Sequence, residues 1–241
     1  MSVAENTWKL WQYGATLREI REFTPRLASW EKSTAPAQIR VREYLRELAA
    51  RLSPLPQPAQ NLFLHMDVDV EKPERLEKHY DLENYLTPLF GSSLLKPSSV
   101  VLVSARKRVG GGSLLRIGRA VSGHGPTNGA WHYFGCRAGK GYTNKSWKQN
   151  LHDRLLSETP SPLPTGKVAV RMAWRCTPNR NWTALWKPTG DAMGPALGYA
   201  SENTLFNPRD DRITYLEYHL NAEVTQGYDV DVGMWWTTDN D

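Results

Sequence analysis

Asp81-Leu82-Glu83-Asn84 sets two carboxylates two positions apart, with an amide directly after them. The apolar segment Tyr85–Phe90 that follows reads as a short helix. Two oxygens at a helix start can be aimed at one point, which suits a hard cation such as Mg²⁺ or Mn²⁺. The same residues also serve a helix with no metal: an Asp caps the amino end, and an acid in the first turn is favoured by the dipole. A second acidic pair, Asp210-Asp211, stands before another extended segment, with Lys187 and Asp191 upstream. Carboxylates that hold a divalent ion and a lysine beside them form the kit for phosphodiester hydrolysis. The candidate catalytic set is therefore Asp81, Glu83, Lys187, Asp210 and Asp211, with Asp81, Glu83 and Asp211 as metal ligands. Asp67 and Asp69 fall on one face of a strand and are further candidates for that site.

Charge points to the partner. The chain of 241 residues has a formal charge of +5, and its pI is about 9.2. No Asp or Glu occurs from Asn84 through His152. That span holds Arg106, Lys107, Arg108, Arg116, Arg119, Arg137, Lys140, Lys145 and Lys148, together with Trp131 and Trp147. Cations without internal anions suggest a polyanion such as DNA, with the rings available to stack on bases. Gly110-Gly111-Gly112 lacks the spacing and the Lys-Ser/Thr of a P-loop.

The elements that would position these groups follow from periodicity. Residues 34–52 read as an amphipathic helix opened at Pro36. Strands are expected over 61–70, 100–107, 113–121, 167–176, 213–224 and 228–236. Residues 1–33 read as an aromatic arm, and His124–Lys148 as a long functional loop. The segment 62–107 (strand, turn, acidic motif, short helix, strand) is matched in pattern by 167–223. Cys136 and Cys176 form no metal or disulfide pattern. No apolar amino-terminal run and no span of about 18 apolar residues appear, so the expected setting is cytoplasmic, with no membrane partner. No nucleophilic triad and no zinc-deaminase pattern supports a metal-independent enzyme acting on a base or small molecule.

These motifs, in this order, resemble the RusA-type Holliday-junction resolvases and their phage-borne relatives. Ser33-Thr34-Ala35-Pro36-Ala37-Gln38-Ile39-Arg40 is similar to the family's polar entry into a basic helix. Asp81-Leu82-Glu83-Asn84 is similar to its Asp-x-Asp-Asn motif, with Glu for the second Asp. Lys187-Pro188-Thr189-Gly190-Asp191-Ala192-Met193 and Asp210-Asp211-Arg212-Ile213 resemble its Lys-x-x-x-Asp-Ala-Leu run and Asp-Asp turn. The resemblance covers roughly 33–91 and 167–224 and implies a Mg²⁺-dependent nuclease acting on branched DNA. Where the family has one compact unit, these motifs are split. Thr87 stands where its lysine is expected, and Asn181 and Thr183 where a second pair of acids is expected. Because family members act as dimers, the resemblance implies an α+β fold in which 34–159 and 160–241 form two halves of a single-chain pseudo-dimer. A homodimer and a non-catalytic nucleic-acid-binding descendant are the alternatives.

Overall fold

Strand pairing organises the molecule into one mixed, eight-stranded sheet. The computed structural model describes all residues except 1, 29–30, 54–60, 78–79, 92–94, 125–129, 140–144, 160, 202–203, 224–228 and 240–241. The strands are β1 (Leu10–Arg21), β2 (Leu62–Asp69), β3 (Val100–Arg108), β4 (Leu114–Gly123), β5 (His132–Gly139), β6 (Val168–Cys176), β7 (Ile213–Ala222) and β8 (Val230–Thr238). The helices are α1 (Pro36–Leu52), α2 (Leu82–Gly91), α3 (Lys145–Glu158), α4 (Trp186–Gly190) and α5 (Gly194–Leu197). The fold is α+β. Among the described residues no helix is long and apolar enough to cross a membrane.

The spatial order is β1-β4-β2-β3-β7-β6-β8-β5. β2 and β3 run parallel, as do β6 and β7. Parallel neighbours need a crossover, and α2 provides one and α4–α5 the other. β4 and β8 return antiparallel to β2 and β6. β3 meets β7 antiparallel, with Ala105 opposite Leu216 and Val103 opposite Tyr218. The connectivity β1-α1-β2-α2-β3-β4 is thus repeated as β5-α3-β6-α4/α5-β7-β8, and the repeats meet at the β3–β7 seam. Because β5 pairs with β8, the connectivity divides between β4 and β5, not at residue 160. α3 likewise sits with the second half, packed against β5.

Inward positions on the helix-covered face are apolar and alternate along each strand: Leu64, Met66 and Val68 on β2, Val101, Val103 and Ala105 on β3, Val170, Met172 and Trp174 on β6. α1 buries Val41, Tyr44, Leu48 and Leu52 against them. Cys136 and Cys176 are buried free thiols, both pushed up to about 11 by burial.

Two sequence expectations are corrected. The amino-terminal aromatic arm packs on the core, but as a strand and not as an irregular segment. Its start crosses the far face, where the Lys9 N–H donates to Asn221 Oδ1 (3.0 Å) and the Trp11 indole to the Leu220 carbonyl (2.8 Å). It then becomes edge strand β1 beside β4, despite the helix-friendly run Thr16–Glu22. Ladder bonds to β4 and burial of Trp8, Leu10 and Ile20 outweigh that local propensity. His124–Lys148 is no single loop either. Phe134 and Cys136 alternate inward on β5, and Trp147, Leu151 and Leu155, four apart, form the buried stripe of α3.

The β1–β4–β2 contact is tight enough to test. A Cβ on Gly118 would lie 2.4 Å from both the Ala15 carbonyl oxygen and the Phe63 ring. Gly118→Ala is expected to cost about 1–3 kcal/mol, the scale of an overpacked core, read as a lowered denaturant midpoint with an unchanged slope.

Candidate active site at the seam

α2 starts after the carboxyl end of β2. The antiparallel β3–β7 pair brings that end beside the opening of β7. The first turn of α2 therefore faces the 3-10 turn Asp210–Arg212 that precedes β7. Pro88 inside α2 cannot donate to the Asn84 carbonyl; the Ala28 N–H does so at 2.7 Å, so the helix continues. Asn84 Nδ2 donates to Asp81 Oδ2 (3.1 Å), and Thr87 Oγ1 to the Glu83 carbonyl (3.0 Å).

Here residues distant in sequence converge. Asp81 and Asp210 are in hydrogen-bond contact. Glu83 accepts from the Tyr218 hydroxyl at 3.3 Å. From the second half, Gly190 packs beside Glu83, where a Cβ would sit in ordinary contact at 3.5 Å from Oε2. Asp191 sits between two lysines, with Lys187 Nζ at 2.8 Å from one oxygen and Lys148 Nζ at 2.9 Å from the other. Lys107 lies beneath, buried, and donates to the Asp211 carbonyl. Asp81, Glu83, Gly190, Asp210 and Tyr218 line a cavity of about 20 Å³, room for about one water molecule or ion.

The electrostatics reflect crowded acids. Burial pushes Glu83 up to about 7; Asp191 and Asp81 push the same way, while Lys187 and Tyr218 oppose. Burial and the Asp81 charge raise Asp210 to about 8 against the pull of Lys187. Lys107 falls to about 8, because burial outweighs Asp81, Asp211 and Asp210. Burial also works against the Lys187 charge, but Asp191, Glu83 and Asp210 hold that lysine protonated. Two carboxyls in contact share a proton because both cannot ionise cheaply. A hard cation relieves the same repulsion, and an all-oxygen donor set suits Mg²⁺ or Mn²⁺. Among the described residues no three His, Cys, Asp or Glu side chains are already arranged around a metal-sized point.

This crowding has a sign. Glu83 and Asp210 hold protons in the folded chain at pH values where their ordinary values of 4.5 and 3.8 would leave them ionised. The folded state binds more protons, so their contribution is intact below about pH 4 and is lost as pH rises through about 7–8. Melts in chelator are expected to show a midpoint that falls between about pH 5 and about pH 8.5, by about 2–4 °C per kcal/mol. Saturating Mg²⁺ is expected to flatten that slope. A midpoint that rises over the interval would contradict the arrangement.

Several candidates lie elsewhere. Asp210, not Asp211, faces Asp81; Asp211 contributes its carbonyl to Lys107 and its charge nearby. Asp67 is on the far face, between His65 Nε2 (3.1 Å) and Arg108 (3.2 Å). Asp69 accepts the N–H groups of Gly110 (3.1 Å) and Gly112 (2.9 Å), so the chain's own carboxylate fills the glycine turn. Trp147 is buried at 1 % exposure and cannot stack on a base from solvent. Lys107 is likewise no surface cation. Cations of the acid-free span are paired in space by anions from other elements: Arg108 with Asp67, Arg137 with Asp231, Lys148 with Asp191. Arg119 is exposed, Arg106 and Arg116 are half-buried on the sheet, and Trp131 lies under the Arg171 guanidinium, 4.6 Å from the ring centroid. Lys140 and the side chain of Lys145 fall outside the described residues.

Tyr218 was not identified as a site residue from sequence, and Lys107 was read there as a DNA-binding cation and not as a member of the acidic site. Lys107 had a signal, being the inward position after Val101, Val103 and Ala105. On the far face, Tyr13, Ser104, His65 and Asp67 form a hydrogen-bonded chain (2.6, 2.8 and 3.1 Å) that sequence spacing did not reveal. Ser104 is fully buried there, so this Ser-His-Asp order serves packing among β1, β2 and β3 of the first half. No family model matches the chain, and no curated protein matches it either.

Proposed function

We propose that the chain is a Mg²⁺- or Mn²⁺-dependent nuclease acting on structured or branched DNA. One observation carries the reading. Asp81 and Glu83 from one half line one small cavity with Asp210 from the other, and Lys187 lies beside Glu83, although these residues are far apart in sequence. Asp81, Glu83 and Asp210 would hold the ion. When bound, it supplies charge neutralisation at the scissile phosphate and a water of lowered pKa. The remaining chemistry belongs to the chain. Lys187, kept charged by Asp191 and half exposed, contacts a phosphate oxygen and stabilises developing charge. Tyr218, donating to Glu83, fixes the carboxylate's rotamer. Lys107 balances the buried acids from below.

In pairs such as Arg108–Asp67 and Arg137–Asp231 the carboxylate is buried while the guanidinium is about half exposed. Stripping a buried acid of its partner is costly, so these pairs stay intact and DNA phosphates would be met by the solvent-facing guanidinium nitrogens. The test is incubation with four-way, duplex and single-stranded DNA, with Mg²⁺, with Mn²⁺ and with chelator. Metal-dependent cleavage that favours the branched substrate supports the reading. Salt-sensitive binding with no cleavage in either metal replaces it with a non-catalytic DNA-binding protein.

A further inference from the structure

The repeat of connectivity carries a consequence for stoichiometry. A true two-fold dimer carries every site twice. Here the two-fold relation maps the β2–α2–β3 crossover onto β6–α4/α5–β7. Pro88 and Pro188 fall one hundred positions apart, and with them Leu86 on Trp186, Thr87 on Lys187, Glu83 on Thr183 and Asp81 on Asn181. The 3-10 turn Pro97–Ser99 before β3 corresponds to Asp210–Arg212 before β7.

The contacts repeat as well. In the acidic site the turn before β7 meets the start of α2, through Asp210 and Asp81. At the other end of the seam the turn before β3 meets the start of the second crossover, where the Trp182 indole donates to the Pro97 carbonyl at 2.9 Å. The scaffold of a second site is therefore built, and its chemistry is missing. Asn181 and Thr183 stand in place of the acids. They satisfy each other, Thr183 Oγ1 donating to Asn181 Oδ1 at 2.8 Å. Thr87 replaces the lysine, and residues 97–99 bring no carboxylate. A cavity of about 280 Å³ lies between the two ends, lined by Glu83 and Lys187 from the first and by Thr87, Asn181 and Thr183 from the second. Neutral amide and hydroxyl groups give a divalent ion no charge to replace its water shell.

We infer that each chain carries one hydrolytic centre and makes one incision per encounter, nicking a single strand of a branched junction where a symmetric dimer would cut two. This rests on the nuclease reading above. In the step, water adds its oxygen to phosphorus as one P–O ester bond breaks, and the leaving oxygen takes up a proton. A second cut needs a second centre, and the described residues at the equivalent end of the seam supply no carboxylate of their own for one.

The test uses the full chain and a supercoiled plasmid that extrudes an inverted repeat, with Mg²⁺ and with enzyme below the plasmid concentration. Paired cuts across the junction convert supercoiled DNA directly to linear product, whereas a single cut gives an open circle and collapses the junction. The expected result is that open circles account for nearly all early product, with linear DNA appearing only late. Linear DNA formed with the earliest product, whether from one chain or from two chains acting together, overturns the inference and leaves the nuclease reading intact. Absence of any cleavage in Mg²⁺ or Mn²⁺ removes the nuclease reading and the inference with it.

Discussion

Asp81→Asn is expected to lower metal-dependent cleavage by about 10²–10³-fold, the scale of deleting one preorganised electrostatic group, while the protein stays folded. Asn is as good a helix cap as Asp and is nearly isosteric, so the start of α2 survives. The bond from Asn84 Nδ2 (3.1 Å) can still be accepted by the amide oxygen. What disappears is the negative charge that contacts Asp210 and raises it. Two further readouts separate this from a structural effect. In chelator above neutral pH the variant's melting point should equal or exceed that of the parent, because a repulsion is gone. Its stabilisation by Mg²⁺ should shrink, because the ion loses a ligand. Full residual cleavage would reduce Asp81 to a helix cap and remove the basis of the nuclease reading.

Residue type and period made the seam strands and the acidic motif legible. β2, β3, β6 and β7 announce themselves by alternation, and Asp81-x-Glu83 and Asp210 by chemistry. Their meeting was not legible from either motif alone, since it depends on β3 running antiparallel to β7. β1 was missed because Thr16–Glu22 favours a helix in isolation, and only the partner strand β4 overrides it. β5 and α3 were hidden by a composition rich in Gly, Asn and Lys, although Trp147, Leu151 and Leu155 carried a helical spacing. The acid-free span misled for a related reason. Segregation along the chain is not segregation in space, and Asp67, Asp191 and Asp231 reach its cations from neighbouring elements. A sheet built from distant strands erases charge blocks that look significant in sequence order.

The largest stability effect is expected at Trp186. Its ring lies 4.7 Å from that of Tyr218, 5.1 Å from Phe90 and 5.2 Å from Trp182, all centroid to centroid. Trp174 extends the cluster through Tyr218 at 5.2 Å. Truncating such a buried aromatic costs about 3–5 kcal/mol, so Trp186→Ala should lower the melting point by about 2–4 °C per kcal/mol for a chain of this size. Trp186→Phe should recover most of that loss, since the Trp186 indole N–H finds no hydrogen-bond partner among the described residues. Trp147→Ala should cost a similar amount, being equally buried on α3. The two alanine variants should differ in function. Trp186 adjoins Lys187 on α4, packs on Phe90 of α2, and supports the Tyr218 ring whose hydroxyl holds Glu83. Its loss frees the lysine's helix and the carboxylate's donor together. Well below the melting point, Trp186→Ala should therefore still cleave at least about tenfold more slowly than the parent, the scale on which supporting residues tune a site, while Trp147→Ala, which reaches the site only through Lys148 and Asp191, should lose less. Equal activity in both would confine the cluster to packing and leave the geometry of the acids independent of it.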